Sequence, residues 1–306
     1  MRIAITGSSG LIGSTLVAGL SQAGHAITRV VRKQSPSAAN DVPQVLWDPA
    51  GGQIDAAGFE GHDAVIHLAG ANIADARWTD EFKRHIRESR VQGTAVLSEA
   101  LAQLARPPRV LLSASAVGYY GSRSPDERVD ESSPPGDSFL ARVCDEWEQA
   151  AAPARRAGIR VVPMRFGTVL APHGGALAKM LPVFRRGLGG KVGSGRQMMS
   201  WIAMDDIVPA VLHVLSRDDF DGPVNFVSPN PVSNAQFTRA LGHALGRPTL
   251  IGMPALAARL LFGEMADELL LAGAAVVPKR LLDSGYTFRS PDLEPALVRM
   301  LRGSST

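Results

Sequence analysis

The sequence predicts an α/β protein: a doubly wound parallel sheet with a small C-terminal α+β cap lobe. Three observations predict it. Short apolar runs alternate with segments of helical spacing along the first half of the chain. A glycine-rich turn, Gly7 to Gly13, joins the first run to the first helical segment. Beyond about residue 228 the rhythm gives way to short helical stretches divided by Pro and Gly.

The elements follow in order. Arg2 to Thr6 reads as a buried strand, and Leu11 to Ala23 as a helix with apolar residues at Leu11, Ile12, Leu16, Val17 and Leu20, ended by Gly24. Ala26 to Val31 is a second strand, so the opening residues make one βαβ crossover. Ala64 to Leu68 is a strand ending at Ala69-Gly70, and Thr79 to Leu104 a long helix stopped by Pro107-Pro108. Arg109 to Ser113 is a strand that turns at Ser113-Ala114-Ser115. Phe139 to Ala157 is expected to be one helix and Ile159 to Phe166 another strand. Residues 122–138 are polar and turn-rich, with Pro125, Pro134, Pro135 and Gly136, and are expected to form a loop over the site.

Composition narrows the class. With 306 residues and 45% hydrophobic content the chain can bury a large core. Its net charge of +3 comes from scattered Lys and Arg, which argues against nucleic acid or an anionic membrane as partner. The single cysteine, Cys144, excludes an internal disulfide and fits a reducing, cytoplasmic setting. No apolar run approaches the roughly 18 residues of a membrane span, and Gly7 interrupts the first apolar stretch too early for a secretory leader. The histidines show no metal-ligand spacing, so no metal is expected.

The loop Gly7-Ser8-Ser9-Gly10-Leu11-Ile12-Gly13 lies between a strand and a helix. In that setting the first glycine permits a tight turn, the second lets backbone approach a pyrophosphate, and the third lets helix and sheet pack closely. The helix N-terminus adds N–H groups and partial positive charge for the phosphates. This is a Rossmann-type dinucleotide site. NAD sites place Asp or Glu about 20 residues past the loop to bind the ribose 2′-OH. This chain has no acid before Asp41; Arg32 and Lys33 stand there instead, with Arg29 nearby. Cations at that point suit a 2′-phosphate, so the expected cofactor is NADP(H), with Arg32 the first choice for the contact. Residues 1–170, completed by about 201–227, are then the NADP(H)-binding domain, and 171–200 with 228–306 the substrate or cap lobe.

Several motifs together resemble the extended short-chain dehydrogenase/reductase superfamily. They are the Thr6 to Gly13 loop, His67-Leu68-Ala69-Gly70, Ser113-Ala114-Ser115 before Tyr119-Tyr120-Gly121, and Trp201 to Asp206. Ser113 to Gly121 in full, Gly174-Gly175-Ala176-Leu177, Ser200-Trp201-Ile202 and the segment Pro254 to Leu297 are similar to an atypical, epimerase-like branch. The resemblance implies that His67, Leu68, Ala69 and Gly70 border the adenosine and pyrophosphate. It implies that Ser113, Ala114 and Ser115 border the nicotinamide ribose, and that Phe166, Gly167 and Val169 flank the nicotinamide. His67 also reads as a plain core histidine, and Asp205-Asp206 as a helix N-cap before Ile207 to Leu215.

The superfamily's chemistry uses a Tyr-x-x-x-Lys pair on a helix, with a partner serine. Here the only tyrosines are Tyr119, Tyr120 and Tyr286, and the residues four places on are Arg123, Ser124 and Ser290. Leu140 and Cys144 occupy the aligned helix positions, and neither replaces the pair. Ser115 survives, either to orient a substrate or to close its strand. Tyr119 and Tyr120 are the candidates for a replacement acid, against the reading that one packs in the core and the other caps the loop. Cys144 as a nucleophile, Arg87 and Arg90 as an anion site, and the run Lys191 to Arg196 as a phosphate cover are weaker; the last reads better as a surface hairpin.

Two functions compete. One is an NADP(H)-dependent oxidoreductase or epimerase-like enzyme on a small polar substrate. The other is a non-catalytic NADP(H) sensor or scaffold, and an RNA-binding role trails both. The long helix Thr79 to Leu104 suits either core packing or a homodimer.

Overall fold

The computed structural model describes residues 1–33, 42–49 and 51–302. The elements run β1 (Arg2–Thr6), α1 (Leu11–Gln22), β2 (Ala26–Val31), β3 (Gln44–Asp48), β4 (Gln53–Ile54), β5 (Ala64–His67), α2 (Asp80–Ala102) and β6 (Val110–Ala116). Next come β7 (Arg128–Val129), α3 (Phe139–Gln149), α4 (Ala152–Arg156), β8 (Arg160–Phe166), β9 (Thr168–Leu170), α5 (Gly175–Arg185), β10 (Met198–Met199) and β11 (Trp201–Ala203). The chain continues with α6 (Met204–Leu215), β12 (Val224–Phe226), β13 (Val232–Ser233), α7 (Asn234–Leu245), α8 (Ala255–Phe262), β14 (Ala275–Val276), α9 (Lys279–Asp283) and α10 (Leu293–Arg302).

The main sheet has eight strands in the order β12-β8-β6-β5-β1-β2-β3-β4. β3, β2, β1, β5 and β6 pair parallel in turn, while β4 returns antiparallel on β3. Strand order reverses between β1 and β5, the switch point where ligands of doubly wound sheets bind. The turn after β1 is the glycine loop, and the turn after β5 is Leu68 to Gly70. The predicted strands and helices of the first half are all present, apart from one helix. Phe139 to Ala157 divides into α3 and α4, because Pro153 opens the second helix and cannot continue the first.

By internal contacts the chain falls into two compact units. The first comprises Met1–Ser115, Val143–Met164 and Val208–Val224. Strand alternation splits its core. Ala4, Val30, Val65, Leu111 and Val161 join Leu97, Leu101 and Ala154 of α2 and α4 on one face, with Trp47 and Phe59 completing the cluster. On α1, Gly19 lies against Val208 of α6, where a Cβ would stand 2.7 Å from a valine methyl. Thr79 caps α2 through the Phe82 N–H, and Asp80 and Glu81 fill its first turn, as the helix dipole favours.

The second unit comprises Ala116–Arg142, Arg165–Ile207 and Asn225–Thr306, of which 303–306 lie outside the described residues. Its core gathers Leu177, Leu181 and Phe184 of α5, Phe237 and Leu241 of α7, and Leu293 and Leu297 of α10 around Leu170 and Trp201. β9 and β11 pair parallel, β10 and β13 antiparallel. The stretch 122–138 is not wholly a loop, since β7 pairs with β14. Glu268 receives the first N–H groups of α3, from Phe139 at 3.0 Å and Leu140 at 3.2 Å. Ser233 and Gln236 form a reciprocal capping box on α7.

Candidate functional site

β1 delivers the chain into the glycine loop, and two of its glycines are sterically obligatory. Gly7 has φ +63°, and a Cβ there would meet the Leu68 carbonyl at 2.8 Å. Gly13 is tighter still, because its Cβ would lie 2.1 Å from Gly7 O. The third glycine therefore serves the loop's own closure rather than only helix–sheet packing. Gly10 donates its N–H to Gly7 O at 3.0 Å and starts α1 with no side-chain cap, so Leu11, Ile12 and Gly13 present the first-turn N–H groups. Ser9 and Gly10 are exposed, whereas Ser8 is buried and accepts a hydrogen bond from Arg29 Nε at 3.2 Å. Arg32 and Lys33 are exposed just past the end of β2. The contact of Arg29 with the loop was not legible beforehand; only its place on β2 was.

His67 is a core histidine in this fold. It is fully buried, with Nδ1 2.8 Å from Thr6 Oγ1 and Nε2 3.0 Å from Thr94 Oγ1. Thr6 Oγ1 also accepts the N–H groups of Leu68 and Ala69, at 3.0 and 3.2 Å. Its one proton then goes to Nδ1, which leaves the imidazole N–H on Nε2. Burial lowers the His67 pKa to about 4, so the ring is neutral. Through Thr6 its side chain holds the turn at Leu68 and Ala69, which lies against Gly7.

At the C-terminal end of β6, Ser113, Ala114 and Ser115 are all buried. Ser113 Oγ has no hydrogen-bond partner among the described residues. Ser115 Oγ donates to Glu148 Oε1 at 2.6 Å. Sequence reasoning missed Glu148, although it stands one helical turn beyond Cys144 on α3. Nearby, Arg87 pairs with Glu146. Arg90 donates to Ile86 O at 3.0 Å and Ala71 O at 2.9 Å, and lies 5.1 Å over the Trp147 ring. Those bonds hold both arginines to neighbouring groups. Cys144 is buried, with the Arg90 guanidinium near enough to interact with it electrostatically.

In the second unit, Tyr119 and Tyr120 follow on the 3-10 turn Val117–Tyr120. Tyr120 is fully buried; its hydroxyl donates to Asn225 Oδ1 at 2.8 Å and accepts from Arg165 at 3.0 Å. Burial pushes its pKa up to about 12. A hydroxyl engaged on both sides by Asn225 and Arg165 fits the reading in which one of the two tyrosines packs in the core. Tyr119 is half-buried, with the Arg165 guanidinium 3.5 Å from its ring centroid. Phe166 packs on Phe226 at 5.1 Å, Val169 is half-buried, and Gly167 is held so close that a Cβ would sit 2.6 Å from Ser200 O.

Two further expectations change. Asp206 is not an N-cap: it sits inside the first turn of α6, buried, and accepts from Arg289 N at 2.7 Å, Ser290 N at 3.0 Å and the Tyr286 hydroxyl at 3.2 Å. Nor is Lys191 to Arg196 a hairpin; Val192 bridges in parallel to Met253, with Gly193 and Gly195 at positive φ. Among the described residues no three His, Cys, Asp or Glu side chains gather as a metal site, and no helix is long and apolar enough to cross a membrane.

A parallel sheet with an uncapped helix at its switch point defines the class, a dinucleotide-fold α/β protein. The chain belongs to the NAD dependent epimerase/dehydratase family, whose pattern matches residues 3–227; residues 253–300 match a domain of unknown function, DUF1731. Epimerase family protein Mb2239 of Mycobacterium bovis is 45% identical over 295 residues, covering 96% of each chain. The human epimerase family protein SDR39U1 is 36% identical over 304 residues, covering 98% of this chain and all of that one. A crystal structure of human SDR39U1 (isoform 2) with NADPH superposes with TM-score 0.89 at 34% identity over 99% of both chains. The nucleoside-diphosphate sugar epimerase from Corynebacterium glutamicum gives TM-score 0.79 at 37% identity, covering 98% of this chain and 58% of that one.

Proposed function

We propose that this chain binds NADP(H) on its first unit and acts as a cytoplasmic oxidoreductase or epimerase-like enzyme on a small polar substrate bearing a hydroxyl or carbonyl. The glycine loop carries the reading. Its backbone leaves no room for a Cβ at Gly7 or Gly13, and α1 begins without a side-chain cap. That arrangement fits a pyrophosphate. Ser8 to Gly13 and Leu68 to Gly70 would hold it, and Arg32, Lys33 and Arg29 would meet the 2′-phosphate. Ser113 to Ser115 would border the nicotinamide ribose, where the buried Ser113 hydroxyl offers a hydrogen bond. When bound, the dinucleotide supplies hydride donation and acceptance. The human relative's structure with NADPH supports the same choice. The division of the chain into a dinucleotide domain, 1–170 with 201–227, and a cap lobe belongs to this proposal.

Titration of the purified protein with NADPH and NADH, followed by fluorescence or calorimetry, tests it. A charge-assisted contact is worth about 1.5–3 kcal/mol, so NADPH should bind roughly tenfold to hundredfold more tightly. Equal affinities, or no binding, overturn the reading. A second reading, a sensor that binds NADP(H) without turnover, is favoured by one observation: the absence of any Tyr-x-x-x-Lys.

A further inference from the structure

We propose that Ser115 and Glu148 form a proton-relay pair standing in for the missing Tyr-x-x-x-Lys, with Ser115 meeting the substrate oxygen and Glu148 holding the proton behind it. The proposal rests on the oxidoreductase reading above.

Ser115 lies at the C-terminal end of β6, the end of a parallel strand at which ligands of open sheets bind. Its hydroxyl is committed as a donor, at 2.6 Å from Glu148 Oε1, a distance typical of a bond to a charged carboxylate. A serine whose only proton is given away presents lone pairs to any second partner, so it accepts from a substrate hydroxyl. Glu148 follows Leu140 and Cys144 at four-residue intervals, on one face of α3. The helix face on which the resemblance places the superfamily's pair therefore carries an ionisable group one turn further on.

The charged neighbours have acceptors or partners of their own. On α3 these are Cys144, Asp145, whose carboxylate takes the Gln149 amide, and Glu146, paired with Arg87 of α2. Arg90 of α2 is turned to the Ala71 and Ile86 carbonyls, and Arg155 of α4 to Val161 O. β6 brings no ionisable side chain.

For an alcohol substrate, the O–H bond breaks and its proton passes to Ser115 Oγ while the Ser115 proton passes to Glu148 Oε1. The carbon's hydride leaves to an oxidised nicotinamide dinucleotide, and a carbonyl forms. Reduction runs the same path backwards and needs Glu148 protonated, so acid favours it.

The test uses the full chain, NADPH, and 4-nitrobenzaldehyde as an activated carbonyl probe. Fluorescence titration should show Glu148→Gln binding NADPH within about twofold of wild type, a change below half a kcal/mol. Aldehyde reduction at saturating NADPH should fall about hundredfold in Glu148→Gln and in Ser115→Ala, the usual scale of lost acid–base catalysis, and Glu148→Gln should lose the acid-side pH dependence. Ser115→Thr, which keeps the hydroxyl, should recover most of the rate. A purely structural bond does not tie the rate to pH through Glu148. A wild-type pH profile in Glu148→Gln overturns the pair. So does a wild-type protein that binds NADPH and leaves the aldehyde unreduced. Failure of the wild type to bind NADPH overturns the dinucleotide reading and the pair together.

Discussion

His67 Nδ1 lies 2.8 Å from the Thr6 hydroxyl, and the same hydroxyl oxygen takes the N–H groups of Leu68 and Ala69. One neutral imidazole thus ties the ends of β1 and β5 together beneath the glycine loop, while Thr94 anchors its other nitrogen to α2. The tie needs the ring uncharged, since a second N–H at Nδ1 would face a proton for which Thr6 has no other acceptor among the described residues.

Acid should therefore loosen this fold. The unfolded imidazole titrates near 6.5, whereas burial holds it at about 4 in the fold. Between these values the unfolded chain takes up a proton that the folded chain refuses. The contribution of His67 to stability is whole above about 6.5 and is lost as pH falls toward 4. Chemical denaturation should show a loss of about 2 kcal/mol between about pH 7 and pH 5 that a His67→Asn variant lacks. An equal loss in the variant would assign the effect to other groups.

The three loop glycines should respond unequally. Gly13→Ala forces its Cβ against a backbone carbonyl at 2.1 Å, with no flexible side chain to give way. The loop must then open, and NADPH affinity should fall at least about a hundredfold, nearly 3 kcal/mol. Gly10→Ala meets Gly7 O at 3.3 Å with an ordinary φ of −74°, and should cost less than tenfold. Parallel NADPH titrations of the two variants decide it; equal losses would mean that backbone approach at Gly10 matters as much as loop closure.

The parallel sheet, the loop and the long helix were legible because each follows from local pattern: apolar runs, glycine between strand and helix, Thr79 before Asp80-Glu81. Side-chain pairings across distant elements were not. Ser115 and Glu148 are 33 residues apart, and Tyr120 and Asn225 are 105 apart. No periodicity reports such a meeting. Glu148 looked like one more polar residue of an amphipathic helix, and Arg29 like a strand residue beside the more prominent Arg32-Lys33. Asp206 looked like a cap because the helical spacing was read from Ile207, whereas α6 begins at Met204.

Tyr120 should prove structural when its hydroxyl is removed. Tyr120→Phe leaves Asn225 Oδ1 and an Arg165 N–H without that partner in a buried site, a loss of about 1–3 kcal/mol. Its NADPH affinity should stay within about twofold of wild type. Urea denaturation and NADPH titration of the one variant give both numbers. A stable variant would show that water or a neighbour replaces the hydroxyl with no cost.

Asp206→Ala separates an anchor from a catalytic acid. Asp206 is fully buried and gathers two backbone N–H groups, of Arg289 and Ser290, and the Tyr286 hydroxyl within the second unit. Alanine leaves those donors stranded, and at about 1–3 kcal/mol for each buried donor the loss rivals the stability of a whole domain. Asp206→Asn keeps one acceptor oxygen but turns an amide N–H toward a backbone N–H, so it should recover only part. Hydrogen exchange localises the effect: amides of residues 286–290 should lose protection first, before those of β1 or β5. A residue that only exchanged protons with a substrate would leave those amides as protected as in the wild type, because its removal would strand no backbone donor.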